Sequence, residues 1–195
     1  MDVSIIILLV AVAVLVIVFC AIYNKLVKLK NRCLNSFAQI DVQLKKRFDL
    51  IPNLLNVCKG YMAHEKETFV AVVEARNAAR EALESANSGS GTVDEVAEAE
   101  GRLNKALTGL NIAVEAYPEL KADIQMTKIQ EELTTCEEKI AFARQAYNDA
   151  VMLFNTQRQS LPTILIAGMI GYGEDEQQLQ FEDREEIAKV PTVEF

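Results

Sequence analysis

The side chains that could do chemistry are most concentrated in residues 39–65, which read QIDVQLKKRFDLIPNLLNVCKGYMAHE. His64, the single histidine of the chain, precedes Glu65, and a His-Glu pair begins the metal-binding helix of zinc proteases. That motif needs a second histidine at position 68, where this chain has Thr68. The sequence also lacks the Glu-x-x-His pair of di-iron bundles, the Gly-x-Ser-x-Gly motif and the Gly-rich nucleotide-binding loops. We therefore expect no catalytic residues, no metal site and no cofactor, and we predict that the protein is not an enzyme.

The polar residues of this stretch can be interpreted in two ways. Asp41, Lys45 and Asp49 are four residues apart, which favours ordinary ion pairs on a solvated helix face. Alternatively, the polar residues form a patch that sets the register against other helices or docks a partner. The candidate interaction or register residues are then Asp41, Arg47, Asp49, Pro52, Asn53, Lys59, His64 and Glu65, together with Tyr147, Asn148 and Asn155 further along the chain.

Asparagines recur at a spacing of seven residues in two places, as Asn24 with Asn31 and as Asn148 with Asn155. A step of seven residues returns to the same face of a helix, and asparagine at a core position fixes helix register at a cost in stability. We predict that at least one of these pairs is buried and hydrogen-bonded.

The elements that must position these residues are predicted to be helices. Apolar side chains recur at steps of three and four over residues 33–62, with further members at 69–73, and again over residues 133–154. This pattern indicates helices with one buried face, not strands. Pro52 removes one backbone hydrogen bond, so a kink or short break is expected in residues 47–52.

Turn and cap residues divide the helical stretches. Residues 87–91 (NSGSG) form the clearest loop, and Thr92 with Glu95 makes a capping box for a helix that reaches about residue 115. Pro118 suits the first turn of a further helix of about forty residues that stops before Pro162. The predicted fold is all-α: an antiparallel up-and-down helical bundle of about four long helices with an irregular C-terminal tail. The spacing also suits coiled-coil packing, within the chain or between chains.

Residues 3–22 are predicted to be a retained transmembrane helix. They carry no charge, and at about 1.5 Å per residue their helix covers the roughly 30 Å hydrocarbon core of a bilayer. A cleaved signal peptide is disfavoured because no basic residue precedes the segment and no small-residue cleavage site ends it. A lipoprotein signal at Cys20 is disfavoured by the bulky Phe19 before it.

Flanking charge predicts the orientation of this anchor. Basic residues stay on the cytoplasmic side, so residues 1–2 are expected outside the cell and the C-terminal domain in the cytoplasm. The basic run is interpreted either as this topology signal on a solvated helix face or as a surface that attracts anionic headgroups. The membrane-flanking basic residues are Lys25, Lys28, Lys30 and Arg32.

Composition bounds the remaining possibilities. The formal net charge is −8, which disfavours nucleic acid as a partner. Cys33, Cys58 and Cys136 fall on the apolar stripes and are expected to be buried, reduced thiols.

Residues 23–162 are predicted to form the bundle, and residues 163–195 an apolar segment with an acidic tail. The apolar part, residues 163–173, is too short to span a bilayer and either covers the bundle end or lies at the membrane interface.

The stretch IDVQLKKRFDLIPNLLNVCKGYMAHE closely resembles the hallmark segment of the LemA family of bacterial membrane proteins. Two positions differ from the usual family pattern: Phe37 lies where relatives often carry Trp, and Phe48 where they often carry a polar residue. Both leave the apolar stripe intact. The resemblance continues at Tyr23-Asn24, Leu26-Val27, Arg32, Ala75-Arg76, residues 117–122 (YPELKA), Ala143-Arg144, Tyr147-Asn148, Phe154-Asn155, and the ending Pro191-x-Val193-x-Phe195.

The resemblance implies a short extracytoplasmic N-terminus, one transmembrane helix and a soluble antiparallel bundle, and it supplies no established catalytic activity. A relative is linked to building membrane compartments, and genes of the family often neighbour those of membrane proteases. The first functional hypothesis is accordingly a membrane scaffold or organiser that forms homo-oligomers through its long helices. The second is an adaptor for another membrane protein, such as a membrane protease, with residues 47–65 as its docking face.

Overall fold

The computed structural model describes residues 3–180, which form helices joined by short turns and contain no strand. Four of the helices are long, and they confirm the predicted all-α class with an apolar N-terminal helix followed by a bundle. The helices are α1 (Val3–Lys59), α2 (Lys66–Ser88), α3 (Val93–Val114), α4 (Pro118–Lys121), α5 (Ile124–Gln159) and α6 (Thr163–Ala167), which a 3-10 turn (Gly168–Ile170) follows. The predicted extracytoplasmic residues 1–2 and the acidic tail from residue 181 lie outside the described residues.

The chain divides into two compact units. Of the described residues, the first unit contains 3–38 and 145–178, and the second contains 39–144 and 179–180. Helices α1 and α5 contribute to both units, whereas α2, α3 and α4 belong to the second and α6 to the first.

The first unit packs the first part of α1 against the last part of α5. Its core contains the buried side chains Ile22, Leu26 and Cys33 of α1, and Val151 and Phe154 of α5. The aromatic ring of Phe37 lies 5.6 Å from that of Tyr147 between centroids. Such tilted aromatic pairs contribute about 0.5–1.5 kcal/mol beyond the area that they bury.

The second unit packs the C-terminal part of α1 with α2, α3 and α5. The buried residues of α1 follow the predicted steps of three and four: Ile40, Leu44, Phe48, Ile51, Leu55 and Cys58. Helices α1 and α2 run antiparallel, because Asn87 reaches Asp41 and Arg76 reaches Phe48. The expected burial of Cys33, Cys58 and Cys136 as free thiols is confirmed.

Helix α1 is the one helix of the described residues that is long and apolar enough to cross a membrane, with a mean hydropathy of 3.6 in its most apolar window. Side chains along its N-terminal part, such as Leu8, Leu15 and Ile17, are more than half exposed. This composition suggests a membrane anchor, because so many exposed apolar side chains are costly in water and favourable in lipid.

Two predicted boundaries were wrong. The apolar stripe was expected to continue from residue 62 to residues 69–73, but α1 ends at Lys59 and a turn at Gly60 separates it from α2. A single helix was expected from Pro118, but α4 is one turn long and α5 begins at Ile124. The Asp123 carboxylate accepts from the backbone N–H groups of residues 125 and 126, at 2.7 and 3.1 Å, and so caps a new helix.

The capping box at the start of α3 is present as predicted. The Thr92 side chain accepts from the Glu95 N–H at 3.2 Å, and the Glu95 carboxylate accepts from the Thr92 N–H at 2.9 Å. These two bonds satisfy donors that a helix N-terminus otherwise leaves without partners.

Of the two alternatives expected in residues 47–52, the short break is absent, because α1 continues through Pro52, and the kink stays a prediction. Proline has no N–H, so the Phe48 carbonyl four residues earlier loses its helical donor. The Arg76 side chain of α2 replaces that donor, with its Nε 2.7 Å from the Phe48 oxygen. A side chain from a neighbouring helix therefore satisfies the one carbonyl that the proline leaves unpaired.

We predict that Arg76 and Pro52 are energetically coupled. Arg76→Met should lower the free energy of unfolding by about 1–3 kcal/mol, because the Phe48 carbonyl then lacks a donor. In a Pro52→Ala background the backbone regains an N–H at position 52 that can donate to that carbonyl, and the cost of Arg76→Met should fall below about 1 kcal/mol. Denaturant unfolding of the full-length chain in detergent measures both costs.

The matched control is Arg80→Met on the same helix. Arg80 pairs with Glu84 at the surface, with both side chains more than half exposed, so its loss should change stability by less than about 1 kcal/mol. An equal cost of Arg76→Met in the unsubstituted chain and in the Pro52→Ala background would contradict the proposed compensation.

Candidate functional site

Arg47 is the polar residue that the fold buries most deeply among those predicted from the sequence. It lies on the inward face of α1, three residues after Leu44 and four before Ile51, and both of these are fully buried. Its side chain is only 4% exposed. The helical spacing that buries the apolar stripe therefore also directs this guanidinium into the second unit.

The Arg47 guanidinium joins three helices. Its Nη1 donates to Glu100 Oε2 of α3 at 3.0 Å, and its Nη2 donates to Asn104 Oδ1 on the same helix. Nη2 also lies 3.6 Å from Glu137 Oε1 of α5. A planar guanidinium has donors in a fixed fork, so these contacts constrain the positions of α1, α3 and α5 together.

Glu100 is the strongly perturbed group of this site. Its side chain is 1% exposed, and its Oε1 has no hydrogen-bond partner among the described residues. Burial raises the pKa of Glu100 to about 7, and the neighbouring Arg47 guanidinium lowers it only in part. Burial favours the uncharged carboxyl more than water does, because the desolvation of the second oxygen is not offset by a donor.

Beside the ion pair lies a polar cavity of about 370 Å³. Its walls come from α1, α3 and α5, and carry charges of both signs together with amide and hydroxyl groups. The residues that line it are Arg47, Glu100, Asn104, Leu107, Thr108, Asn111, Glu137, Ile140, Ala141 and Arg144. Within residues 3–180 no group of three or more His, Cys, Asp or Glu side chains is arranged to hold a metal ion.

The other predicted residues of α1 lie on its exposed face. Asp49, Pro52, Asn53 and Lys59 are all exposed, and none of them contributes to the Arg47 site. Asp41 is half-buried, accepting from Lys45 at 2.9 Å and from Asn87 at 2.6 Å.

Within the described part of the chain, the side chains of Asp49, Asn53 and Asn56 form no hydrogen bond or ion pair. The predicted pairing of Lys45 with Asp41 is present, whereas Lys45 makes no ion pair with Asp49. One side of α1 is therefore an exposed polar face, which we call the α1 outer face: Lys45, Asp49, Pro52, Asn53, Asn56 and Lys59.

His64 and Glu65 lie in the turn between α1 and α2, away from Arg47. His64 is exposed. Glu65 is half-buried and accepts from the hydroxyls of Thr68 and Tyr117, each at 3.4 Å. These long bonds link the start of α2 to the residue that precedes α4.

Tyr147, Asn148 and Asn155 belong to the first unit. Tyr147 is buried, and its hydroxyl donates to the Gln177 carbonyl at 2.9 Å. Asn155 exchanges two hydrogen bonds of 2.9 Å with the Glu176 backbone. Asn148 is half-buried and has a partner.

The prediction that one asparagine pair is buried and hydrogen-bonded is met only in part: Asn155 is hydrogen-bonded, and neither pair is fully buried. Asn24 and Asn31 are exposed, and Asn148 and Asn155 are half-buried. The hydrogen bonds of Asn155 go to the backbone of residue 176, which lies outside the helices, and not to a neighbouring helix.

Of the membrane-flanking basic residues, three are exposed and one is paired. Lys25, Lys28 and Arg32 are exposed, whereas Lys30 is half-buried and forms an ion pair with Glu176.

The partners of Arg47, which are Glu100, Asn104 and Glu137, were not predicted from the sequence. Arg76, which donates to the carbonyl that Pro52 leaves unpaired, was not predicted either. One signal was available: Glu100 interrupts the apolar stripe of α3 between Val96 and Leu103, at positions that face the core. A charged residue on a buried face requires a partner of opposite charge. The choice of Arg47 as that partner depends on contacts across 53 residues of sequence.

The long apolar helix and the helical body fit the class of membrane-associated helical proteins. The LemA family model matches residues 36–195, which is most of the chain. The chain belongs to the LemA family, and the resemblance seen in residues 40–65 is confirmed. A search of curated proteins found no match to this chain.

Glu100 should make stability depend on pH between its ordinary pKa of 4.5 and its folded-state pKa of about 7. In this range the folded chain keeps a proton that the unfolded chain releases, so the free energy of unfolding falls as pH rises. The slope reaches at most about 1.4 kcal/mol per pH unit. Glu100→Gln should flatten the profile between pH 5 and pH 7, measured by denaturant unfolding of the full-length chain.

Glu98→Gln is the matched control, because Glu98 is an exposed carboxylate on the same helix. Its profile should follow that of the unsubstituted chain. Parallel profiles for the unsubstituted chain and Glu100→Gln would contradict the assignment of the slope to Glu100.

Proposed function

We propose that this LemA family member is a membrane-anchored scaffold that self-associates through its helical body and works by protein contacts, not by catalysis. The proposal concerns the second unit, which lies outside the apolar segment of α1. In this role the chain gathers copies of itself at the membrane.

Exposed apolar side chains on the second unit carry this proposal. Phe142 of α5 is 73% exposed, and Ile112 of α3 is 69% exposed. Large aromatic side chains are favoured at the centres of protein interfaces, where they contribute much of the binding energy. An exposed phenylalanine outside the membrane segment supports burial against a second copy better than permanent contact with water.

Membrane anchoring favours association of this kind. Copies that share a bilayer are confined to a thin layer, which raises their effective concentration for one another. A contact too weak to form a dimer in dilute solution can therefore form at the membrane. In a two-fold symmetric contact each residue near the axis lies close to the same residue of the other copy.

We also propose that the N-terminus is outside the cell and the helical body is in the cytoplasm. Lys25, Lys28 and Arg32 follow the apolar segment and are exposed, as residues of a cytoplasmic flank are expected to be. The free cysteines of the body, Cys33, Cys58 and Cys136, are buried and so cannot report its location to a thiol reagent.

Glu138→Cys in a Cys20→Ser background should test self-association and orientation together, because Glu138 is exposed one helical turn before Phe142 and its replacement leaves that side chain in place. The new thiol is the accessible one, since the remaining cysteines are buried. A short bifunctional maleimide that crosses membranes should convert most of this variant into covalent dimer in intact cells. A charged, impermeant bifunctional maleimide should give none.

Val70→Cys on α2 is the matched control, because Val70 is 54% exposed and lies on another helix. It should react with the permeant reagent without forming dimer. Absence of dimer with Glu138→Cys under permeant reagent contradicts self-association through α5. Dimer formation with the impermeant reagent contradicts a cytoplasmic body.

The α1 outer face favours a second function, as an adaptor for another membrane protein. Asp49, Asn53 and Asn56 are exposed and form no side-chain bonds with other described residues. Arg47, which we expected in the docking face, is buried and already paired with Glu100. A docking surface on α1 is therefore restricted to the outer face.

Asp49→Lys should reduce recovery of a bound membrane protein at least tenfold in pull-downs of the full-length chain from detergent extracts, because it reverses a charge at the centre of the α1 outer face. Asp94→Lys, at an exposed position in the first turn of α3, serves as the charge-matched control and should leave recovery unchanged. Equal recovery with both variants would exclude the α1 outer face as the docking site.

A further inference from the structure

An uncharged segment of the first unit lies beside the apolar part of α1. Residues 159–173 contain no Asp, Glu, Lys or Arg, and they include α6 and the 3-10 turn. Pro162, Leu165 and Ile166 face α1 residues 12–19 across a cleft of about 500 Å³, and every residue that lines this cleft is apolar.

The position of this contact along α1 indicates how deep in the bilayer the contact lies. Residues 12–19 lie between the middle of the uncharged stretch 3–22 and its C-terminal end, and the first basic residue after that stretch is Lys25. Phe19 and Val12 are three and ten residues before Ile22, where the stretch ends, which is roughly 5 and 15 Å along a helix axis. One leaflet contributes about 15 Å of hydrocarbon, so the partners of α6 on α1 lie within that layer.

The outer surface of this segment is apolar and exposed. Leu161 is 77% exposed, Leu165 is 70% exposed and Met169 is 82% exposed. Three large apolar side chains within nine residues would be unfavourable in water, and they continue the apolar surface that α1 presents at the same level. The acyl chains of the bilayer are the environment that suits the exposed apolar surfaces of both this segment and α1.

Several polar groups of the segment have hydrogen-bond partners within the protein, which lowers the cost of placing them in hydrocarbon. The Thr163 hydroxyl is buried and accepts from Gln157 Nε2 at 2.9 Å. The N–H groups of Ile164 and Tyr172 donate to carbonyls of the segment, each at 2.9 Å. The Ser160 hydroxyl donates to the Gln157 carbonyl at 2.8 Å.

Charged groups join the two ends of the uncharged segment. Arg158 precedes it and forms an ion pair with Asp175, which follows it. Arg158 Nη1 also donates to the Gly173 carbonyl at 2.9 Å, and Gln159 Nε2 lies 2.9 Å from Asp175 Oδ2. The chain therefore enters and leaves the segment at one level, because an uncharged stretch of this length is too short to cross a bilayer and return.

We propose that residues 161–170 form a re-entrant membrane segment that inserts into the leaflet at the C-terminal end of the α1 span and packs beside α1. The chain then contacts the bilayer at two places, the α1 span and this segment. The inference rests on α1 as a membrane span and is independent of self-association.

A single tryptophan tests the insertion, because the chain contains none. Leu165→Trp in the full-length protein, reconstituted in phosphatidylcholine vesicles, should show blue-shifted emission. It should lose at least half as much fluorescence to lipids brominated in mid-chain as Phe19→Trp, which reports on the span. Ile124→Trp, at a position 71% exposed in the second unit, should be quenched by aqueous acrylamide and not by the brominated lipids.

Three results would overturn the proposal. Quenching of Leu165→Trp by acrylamide, as for Ile124→Trp, places the segment in water. Protection of Leu165→Trp from both quenchers places it against protein. Failure of the brominated lipids to quench Phe19→Trp removes the membrane span on which the inference rests, whereas loss of self-association alone leaves the inference intact.

Discussion

The ion pair between Arg47 and Glu100 is the interaction on which the arrangement of the second unit depends. Both side chains are almost completely buried, and the pair connects α1 to α3 within a body whose other inward residues are apolar. Breaking a buried pair by removing one partner typically costs about 3–5 kcal/mol, although well-packed apolar residues could replace both without loss. Our hypothesis is that the pair contributes specificity more than stability. A shift of one helical turn between α1 and α3 would separate the charges and leave each without its partner, whereas the apolar stripes tolerate such a shift.

Helix α1 shows which parts of the structure could be predicted from the sequence. Its buried face follows directly from the spacing of apolar residues, because that spacing is a local property of the chain. Its passage through Pro52 could not be predicted, because the donor that replaces the missing N–H comes from Arg76, 28 residues away from Phe48 on another helix. Pro52 does remove one backbone hydrogen bond, as expected, and the tertiary contact from Arg76 replaces that bond. The capping box of Thr92 and Glu95 was predictable for the opposite reason, since both partners lie within one helical turn.

The candidate site, too, could be predicted only where local spacing determines it. Arg47 was predicted as an interaction residue, and its position three residues from Leu44 already indicated an inward side chain. Its partners were not predicted, because nothing local distinguishes Glu100 from the surface glutamates of α3 except its place on the apolar stripe. For Asn155 the predicted hydrogen bonds exist, but with the backbone at residue 176. Regular spacing predicts which face a residue occupies, and it does not specify whether the partner on that face is a helix or a segment without regular secondary structure.

The polar contacts of the first unit converge on one short stretch, residues 173–178. Tyr147 and Asn155 bind its backbone, Arg158 pairs with Asp175, and Lys30 of α1 pairs with Glu176. Each surface ion pair contributes little by itself, and the backbone bonds from half-buried and buried side chains contribute more. Together they fix the end of the uncharged stretch 159–173 against both α1 and α5. Because α5 fixes its beginning, the conformations open to this stretch are limited to turns that stay beside α1, and the entropy cost of ordering its apolar side chains is reduced. The charged residues at positions 30, 158, 175 and 176 therefore hold the apolar segment 159–173 in place, although they lie outside it.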